Sequence, residues 1–136
     1  RGDRLLCMRR AAHRDAGAGV WETLSGRVRA GEEPLAAVWR EIGEEAGLEV
    51  RLDERPLLAY SALRAGEPMT VILYRGVALD AAVKRSSEHD RHAWLTPDEL
   101  AERTPLQKLV EAARLALATP LPAELQELRL SQADTE

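Results

Sequence analysis

The sequence predicts an α/β fold, and three features of the chain support that prediction. Apolar residues recur at helical spacing between Pro34 and Gly47. Strand-like segments follow at residues 48–52, which alternate in polarity, and at residues 69–74. A second apolar stripe begins after Pro105 and indicates a further helix. Because strands and helices are interspersed along the chain, a domain that packs helices on a sheet is expected.

The composition indicates one globular domain. The 136 residues are 45% hydrophobic and 31% charged, and their formal net charge of −4 argues against general nucleic-acid or anionic-membrane binding. No apolar run approaches the ~20 residues that cross a bilayer. The single cysteine, Cys7, fits a reducing compartment, and no secretory signal is visible, so the expected location is the cytoplasm.

The first segments predict two strands joined by a loop. A tight turn leads into a strand at residues 5–8, so we expect a further strand upstream of Arg1. Residues 11–19 are small, polar and interrupted by glycine, which predicts a loop. Residues 20–24 predict a short second strand that leads to Gly26.

The best-defined helix is predicted between Pro34 and Gly47. Proline suits the first turn of a helix, where its missing N–H costs nothing, and glycine suits the left-handed C-cap. The predicted buried stripe consists of Leu35, Val38, Trp39, Ile42 and Ala46. Glu41, Glu44 and Glu45 project together from one flank of this stripe. Three neighbouring carboxylates favour a divalent cation, although a solvated acidic face would explain the same charges.

A hairpin is predicted after this helix. Residues 48–52 and a second segment that begins at Pro56 lead to a turn at residues 64–68. The returning strand covers residues 69–74, and the polar residues 80–92 predict a loop.

The C-terminal part predicts a short strand and two helical segments. The strand at residues 93–95 is followed by a helical turn N-capped by Thr96, and Pro105 opens the last clear helix. Residues 1–119 are expected to form a single domain, with residues 120–136 as a lightly attached C-terminal tail.

The residues around the acidic helix match one motif at every specified position. The motif is G-x5-E-x7-R-E-U-x-E-E-x-G-U, where U is apolar, and a pattern with so many fixed positions is highly specific. The matching residues are Gly26, Glu32, Arg40, Glu41, Ile42, Glu44, Glu45, Gly47 and Leu48. This motif is the Nudix box, so the chain resembles the Nudix hydrolases of the MutT-like kind.

The resemblance implies a fold, a reaction and a cofactor. The Nudix fold is an α/β/α sandwich with a mixed β-sheet between helices. Its members hydrolyse a nucleoside diphosphate linked to another group, here an ADP-ribose-like compound, a sugar nucleotide or a (d)NTP. The implied cofactor is Mg²⁺, with Mn²⁺ as a substitute. The box identifies neither the nucleotide-type substrate nor the oligomeric state, so a homodimer stays open.

The resemblance assigns the metal site to carboxylates of the helix and of one loop. Glu44 and Glu45 are expected to bind metal, and Glu41 to be either a ligand or the general base. The carbonyl of Gly26 is expected to supply one more oxygen. Glu88 lies in a segment that often closes the family's active site, where it would act as a base or an additional ligand. A solvated loop glutamate is the alternative.

Other residues are expected to orient the site or to contact the substrate. Arg40 would orient a box glutamate by a charge-assisted hydrogen bond, with Glu32 in the same network. Arg27 could meet a phosphate or be an exposed arginine. Trp21 could line a base pocket, although a core position is more common for such a tryptophan. Ser25 replaces a glycine that is common in the family, which affects loop geometry and substrate choice more than metal binding.

A Nudix domain that binds a nucleotide without cleaving it is the rival from another class of protein. Such domains usually lose box carboxylates, whereas this chain keeps all of them. A related isomerase that acts on an isoprenoid diphosphate fits less well, because the hydrolase box is complete. Measuring products with and without Mg²⁺ would separate hydrolysis from binding.

Overall fold

The structure is a computed structural model, and it describes residues 1–13 and 17–133. Strands come first along the chain, interrupted by one helix, and three helices follow them. The elements are β1 (Leu5–Arg10), β2 (Trp21–Glu22), α1 (Pro34–Glu45), β3 (Val50–Arg64), β4 (Glu67–Ala78), β5 (His89–Leu95), α2 (Pro97–Arg103), α3 (Gln107–Ala118) and α4 (Ala123–Ala133). Across the described ranges, none of these helices combines the length and the apolar character that crossing a membrane requires.

The strands form two antiparallel sheets. β1 is the central strand of one sheet, with β2 and β5 at its two sides, and β3 pairs with β4 in a long hairpin. The predicted α/β class is confirmed, with one difference in strand direction. The predicted mixed sheet requires a parallel pair, whereas every ladder within the described residues is antiparallel. The short β3–β4 connection explains this for the hairpin, because parallel neighbours need a long crossover.

The hairpin is longer than the sequence indicates. A break is predicted at Pro56, but β3 continues through it as one strand of 15 residues. The pairing with β4 shifts register between Asp53 and Leu58, so the proline lies in an irregular part of the ladder. Proline is tolerated there because its missing N–H removes no regular ladder bond.

β5 begins earlier than predicted. The sequence predicts a loop through residue 92, but the strand starts at His89, which is only 4% exposed. Because the first half of this strand consists of charged residues and histidines, it lacks the alternation of apolar and polar side chains by which strands are predicted. Asp90 is paired with Arg9 on the neighbouring strand, with Nε and Oδ1 2.7 Å apart. Opposite charges on adjacent strands stabilise the pairing without an apolar face.

The main core lies between the three-stranded sheet and helices α2 and α3. Its buried cluster consists of Cys7, Leu95, Leu100, Val110 and Ala113. Thr96 caps α2 as predicted, because its hydroxyl accepts the Glu99 N–H in a capping box. The following helix, α3, begins at Gln107, two residues after Pro105.

The box helix α1 ends as predicted, and its buried face matches the predicted stripe in part. Gly47 follows the C-cap in the left-handed region, with φ 59°, and its N–H donates to the Ile42 carbonyl at 2.9 Å. Ile42 is buried as predicted, but Trp39 is 45% exposed, so its place in the buried stripe is wrong. Ala37 and Glu45 are buried instead. Ala46 is also buried as predicted, so the buried face keeps part of the predicted stripe, takes in the Glu45 carboxylate and leaves the Trp39 indole at the surface.

The last helix, α4, is hydrogen-bonded to the start of the chain and to β4. Gln132 accepts from the Gly2 N–H at 3.1 Å and donates to the Ala78 carbonyl at 2.6 Å. Arg129 donates to the Gly2 carbonyl at 2.7 Å. These bonds connect the predicted tail to the domain, and a boundary at residue 119 stays a prediction.

Candidate active site

Glu45 is the buried acid at the centre of the site. The residue is 4% exposed, and its Oε2 has no hydrogen-bond partner among the described residues. Burial raises the pKa of the Glu45 carboxyl to about 8, and the charge of Glu41, a hydrogen bond to Glu88 and the charges of Glu88 and Glu22 act in the same direction. Two carboxyl groups can share a hydrogen bond only when one of them is protonated. The site therefore concentrates negative charge and can hold a proton.

The loop after β4 brings Glu88 to this position. It crosses the C-terminal end of α1, where the Lys84 N–H donates to the Ala46 carbonyl at 2.7 Å. At the other end of the loop, the Ala11 N–H donates to the Glu88 carbonyl at 2.9 Å. The loop is thus fixed on both sides, and the Glu88 side chain is hydrogen-bonded to Glu45.

Gly26 and Glu41 are in direct contact. A β-carbon built on Gly26 would overlap with the Glu41 carboxyl group, so only glycine leaves room for that carboxylate. The Glu41 side chain is 15% exposed, and its Oε1 accepts from Arg40 Nη1 at 2.7 Å. The loop backbone and the helix carboxylate, both predicted as metal ligands, therefore lie side by side.

Arg40 connects the loop to the helix through contacts with four residues, including the contact with Glu41. Its Nε and Nη2 donate to the two carboxylate oxygens of Glu32 at 2.9 and 3.0 Å. Its Nη2 also donates to the Arg27 carbonyl at 2.8 Å, and its Nη1 lies 3.3 Å from Glu44 Oε2. Hydrogen bonds from Arg40 and from the Arg29 N–H lower the pKa of Glu32 to about 2. The structure thus brings Arg40, Glu32 and Glu41 into one hydrogen-bonded network, and their roles in the site stay predictions.

Glu44 lies on the solvent side of the cluster. Its side chain is 53% exposed and lies 3.9 Å from Arg29 Nη2, in addition to its contact with Arg40. In the chain as described, no three acidic, histidine or cysteine side chains already stand together as a metal-ligating group. The donors nevertheless fit a hard cation, because they are carboxylate oxygens, repel one another and include the unpartnered Oε2 of Glu45.

Two predicted substrate contacts differ in their surroundings. Arg27 is exposed beside Gly26, so its side chain is accessible to a ligand. Trp21 packs against the core cluster and lies under the Arg103 guanidinium, 5.1 Å from the ring centroid. The structure therefore gives Trp21 the core position that is the alternative in the sequence analysis, and its role in a base pocket stays a prediction.

Sequence reasoning missed three residues behind the site. Glu22, Arg10 and His89 form a buried group in which Glu22 Oε2 lies 2.9 Å from His89 Nε2 and 3.2 Å from Arg10 Nη1. Strand alternation carries a signal for Glu22, because its neighbour Trp21 faces the core and Glu22 must face the opposite side. No comparable signal exists for His89, since its strand is not recognisable from polarity.

Comparison with known proteins identifies a family and a fold. A family model described as the NUDIX domain matches residues 1–117. The crystal structure of the MutT protein from Methanosarcina mazei Go1 aligns with a TM-score of 0.72 at 22% identity, over 84% of this chain and 85% of that chain. At this level of identity the likeness concerns the fold alone.

Two curated relatives are longer than the matched region. A protein of Myxococcus xanthus described as an octanoyltransferase is 36% identical over 119 residues, which are 85% of this chain and 32% of that protein. A MutT-like protein of Streptomyces ambofaciens is 34% identical over 100 residues, which are 74% of this chain and 60% of that protein. The chain thus spans about a third of one relative and three fifths of the other.

Proposed function

This chain belongs to the Nudix family, and we propose that it is a divalent-metal-dependent pyrophosphohydrolase. Its proposed substrate is a nucleoside diphosphate linked to another group: an ADP-ribose-like compound, a sugar nucleotide or a (d)NTP. One observation carries the proposal. Glu41 lies against Gly26, and Glu41 and Glu88 are both close enough to the buried Glu45 for their charges to raise its pKa. Such a concentration of negative charge is costly unless a cation or a proton neutralises it.

The proposed ligands for Mg²⁺, or for Mn²⁺ in its place, come from the helix and the adjoining loop. They are the carboxylates of Glu41, Glu44 and Glu45 and the carbonyl of Gly26. The unpartnered Oε2 of Glu45 supports this choice, because a buried carboxylate oxygen that accepts no hydrogen bond is available to a cation. When bound, the cation would neutralise charge on the diphosphate and lower the pKa of an attacking water.

Proton transfer is assigned to Glu41 or Glu88. Glu88 is the better placed of the two to exchange a proton within the cluster, because it hydrogen-bonds to Glu45. Glu41 is restrained by Arg40, which donates to it at 2.7 Å and is itself held by Glu32. Arg40 therefore fixes the orientation of Glu41 through a charge-assisted hydrogen bond.

The retained carboxylates favour hydrolysis over binding without cleavage. A silent nucleotide-binding domain has no need for a proton-holding pair of acids behind its ligand, whereas Glu45 and Glu88 form such a pair. Arg27, exposed next to Gly26, is proposed to contact a phosphate of the substrate.

A small substrate panel tests the proposal. ADP-ribose, a sugar nucleotide and a dNTP are incubated with the protein in Mg²⁺, in Mn²⁺ and in excess chelator, and nucleotide and phosphate products are separated by chromatography. We expect metal-dependent cleavage within the diphosphate of at least one compound. Calorimetric binding of a nucleotide without product in either metal would instead establish the silent binding domain and overturn the hydrolase.

A further inference from the structure

A buried pair of side chains supports the candidate site from behind, and it lies outside the box. Glu22 Oε2 and His89 Nε2 are 2.9 Å apart, and the two side chains are 11% and 2% exposed. In the part of the chain that the structure describes, Nδ1 of His89 has no hydrogen-bond partner. The contact with Glu22 is therefore the polar contact that sets the orientation of the imidazole.

The pair spans the three-stranded sheet. Glu22 on β2 is paired with Met8, and His89 on β5 is opposite Arg10, so the two side chains come from strands on either side of β1. Outer strands of such a sheet are about 10 Å apart, which long side chains can bridge. Arg10 Nη1 also lies 3.2 Å from Glu22 Oε2. The group thus connects the two-residue strand β2 to the first residue of β5.

This first residue of β5 directly follows the loop glutamate of the candidate site. The Glu88 carbonyl accepts the Ala11 N–H at 2.9 Å, and the next side chain, His89, is fixed by Glu22. Two neighbouring anchors restrict the backbone from which the Glu88 carboxyl reaches Glu45. Because this backbone is already fixed, Glu88 loses less conformational entropy when its carboxyl group engages the site.

We propose that Glu22 and His89 are positioning residues, whose buried contact across β1 holds Glu88 in reach of the acidic cluster. The inference rests on the proposed function for its catalytic consequence, but the anchoring itself is a structural statement. Neither residue needs to touch the substrate. A purely structural role would stabilise the sheet without acting through Glu88. The two roles therefore predict different effects when His89 and Glu88 are changed together.

Amide hydrogen exchange tests the anchoring without any measurement of activity. The probe is the Ala11 N–H, which is bonded to the Glu88 carbonyl. In His89→Leu we expect its exchange to accelerate by about 10-fold or more, because local opening at this loop becomes easier. His89→Gln, which keeps a side-chain N–H for Glu22, should restore most of the protection. Unchanged exchange in His89→Leu overturns the proposal.

A matched control comes from the same strand. His92 is also on β5, but its Nδ1 contacts Arg85 Nη1 at 2.7 Å and not Glu22. His92→Leu should leave exchange at Ala11 unchanged. Should His89→Leu fail to fold, Glu22→Leu replaces it, since this variant removes the oxygen that contacts His89 Nε2, and the same acceleration at Ala11 is expected. Equal acceleration in His92→Leu would show a general loosening of β5 and contradict the proposal.

A kinetic double-mutant cycle tests the coupling to Glu88. We expect His89→Leu to lower kcat by about 10-fold or more with little change in KM, and to have little further effect in a Glu88→Gln background. Losses that add in the double variant would show that the pair acts independently of Glu88, which overturns the positioning role. If the wild-type protein cleaves nothing, the proposed function fails, and the exchange result still decides the anchoring.

Discussion

Gly26 lies against Glu41 so closely that a β-carbon on the glycine would occupy the space of the glutamate's carboxyl group. The carboxylate cannot simply turn away, because its Oε1 is held by Arg40 Nη1 at 2.7 Å. Arg40 is in turn bonded to Glu32 and to the Arg27 carbonyl. The loop, the arginine and the helix therefore form one interlocked unit, and any side chain at Gly26 must displace part of it.

Gly26→Ala is expected to lower hydrolytic turnover by about 100-fold or more, because it forces Glu41 or the loop out of position. The matched control is Gly43→Ala in α1, the helix that carries Glu41. An added β-carbon at Gly43 meets no atom within 4 Å. That variant should raise stability by roughly 1 kcal/mol through helix propensity and leave turnover unchanged. Turnover and thermal unfolding of both variants provide the measurement. Full activity of Gly26→Ala would show that the contact with Glu41 is not needed.

Glu44→Gln is expected to reduce turnover by at least ~100-fold while the fold remains intact, because the change removes a metal-binding charge but little volume. The Glu44 side chain is 53% exposed, and its contact with a buried group is the one with Arg40. Arg40 also contacts Glu32 and Glu41, so it keeps carboxylate partners in the variant. Glu49→Gln is the control, since Glu49 is exposed and follows the same helix. Initial rates at saturating Mg²⁺ decide the matter, and near-normal turnover would remove Glu44 from the metal site.

The exposure of Trp39 changes the stability effect that is expected when this residue is truncated. If Trp39 were buried, its truncation to alanine would cost about 3–5 kcal/mol. Because the residue is 45% exposed, Trp39→Ala should cost about 1 kcal/mol or less. Ile42→Ala, at a position that is 7% exposed, should cost about 2–5 kcal/mol. Urea unfolding of the two variants gives the comparison, and a larger loss for Trp39→Ala would contradict the observed helix face.

The same helix shows how far sequence reasoning extends. Its ends are local, since Pro34 and Gly47 determine them through backbone geometry, and both were predictable. Its buried face depends on what the rest of the chain places beside it. Apolar periodicity favours Trp39 over Glu45 for the interior, and only the tertiary arrangement, with Glu88 and the Gly26 loop nearby, makes the carboxylate the buried side chain.

The candidate site also contains contacts that could be predicted from the sequence and contacts that could not. The resemblance to the Nudix box implies a network of Arg40 with Glu32 and a box glutamate, and the structure contains hydrogen bonds from Arg40 to Glu32 and Glu41. The Glu22–His89 contact was not predictable, because the residues are 67 positions apart and meet across a strand. The strand β5 carries charges that pair with its neighbour instead of an apolar face, so the polarity pattern gave no indication of the strand or of its buried histidine.

The raised pKa of Glu45 makes the stability of the metal-free protein depend on pH. The carboxyl has an ordinary value of 4.5 and a folded value of about 8, so between these pH values the folded protein binds a proton that the unfolded chain does not. Stability from this group is complete below about pH 4.5 and is lost as the pH rises through 8. We expect chemical denaturation in chelator to show a free energy of unfolding that falls between pH 5 and pH 8.

Two controls connect this loss to Glu45 and to the cation. Glu45→Gln carries no titrating carboxyl at this position, so it should show a flatter stability profile over the same pH range. Mg²⁺ should stabilise the wild-type protein more at pH 8 than at pH 5, because cation and proton compete for the same oxygens. The Glu45→Gln variant should lose most of this difference. A wild-type profile that is flat between pH 5 and pH 8, or a Mg²⁺ effect that does not depend on pH, would show that Glu45 is charged and satisfied without a metal.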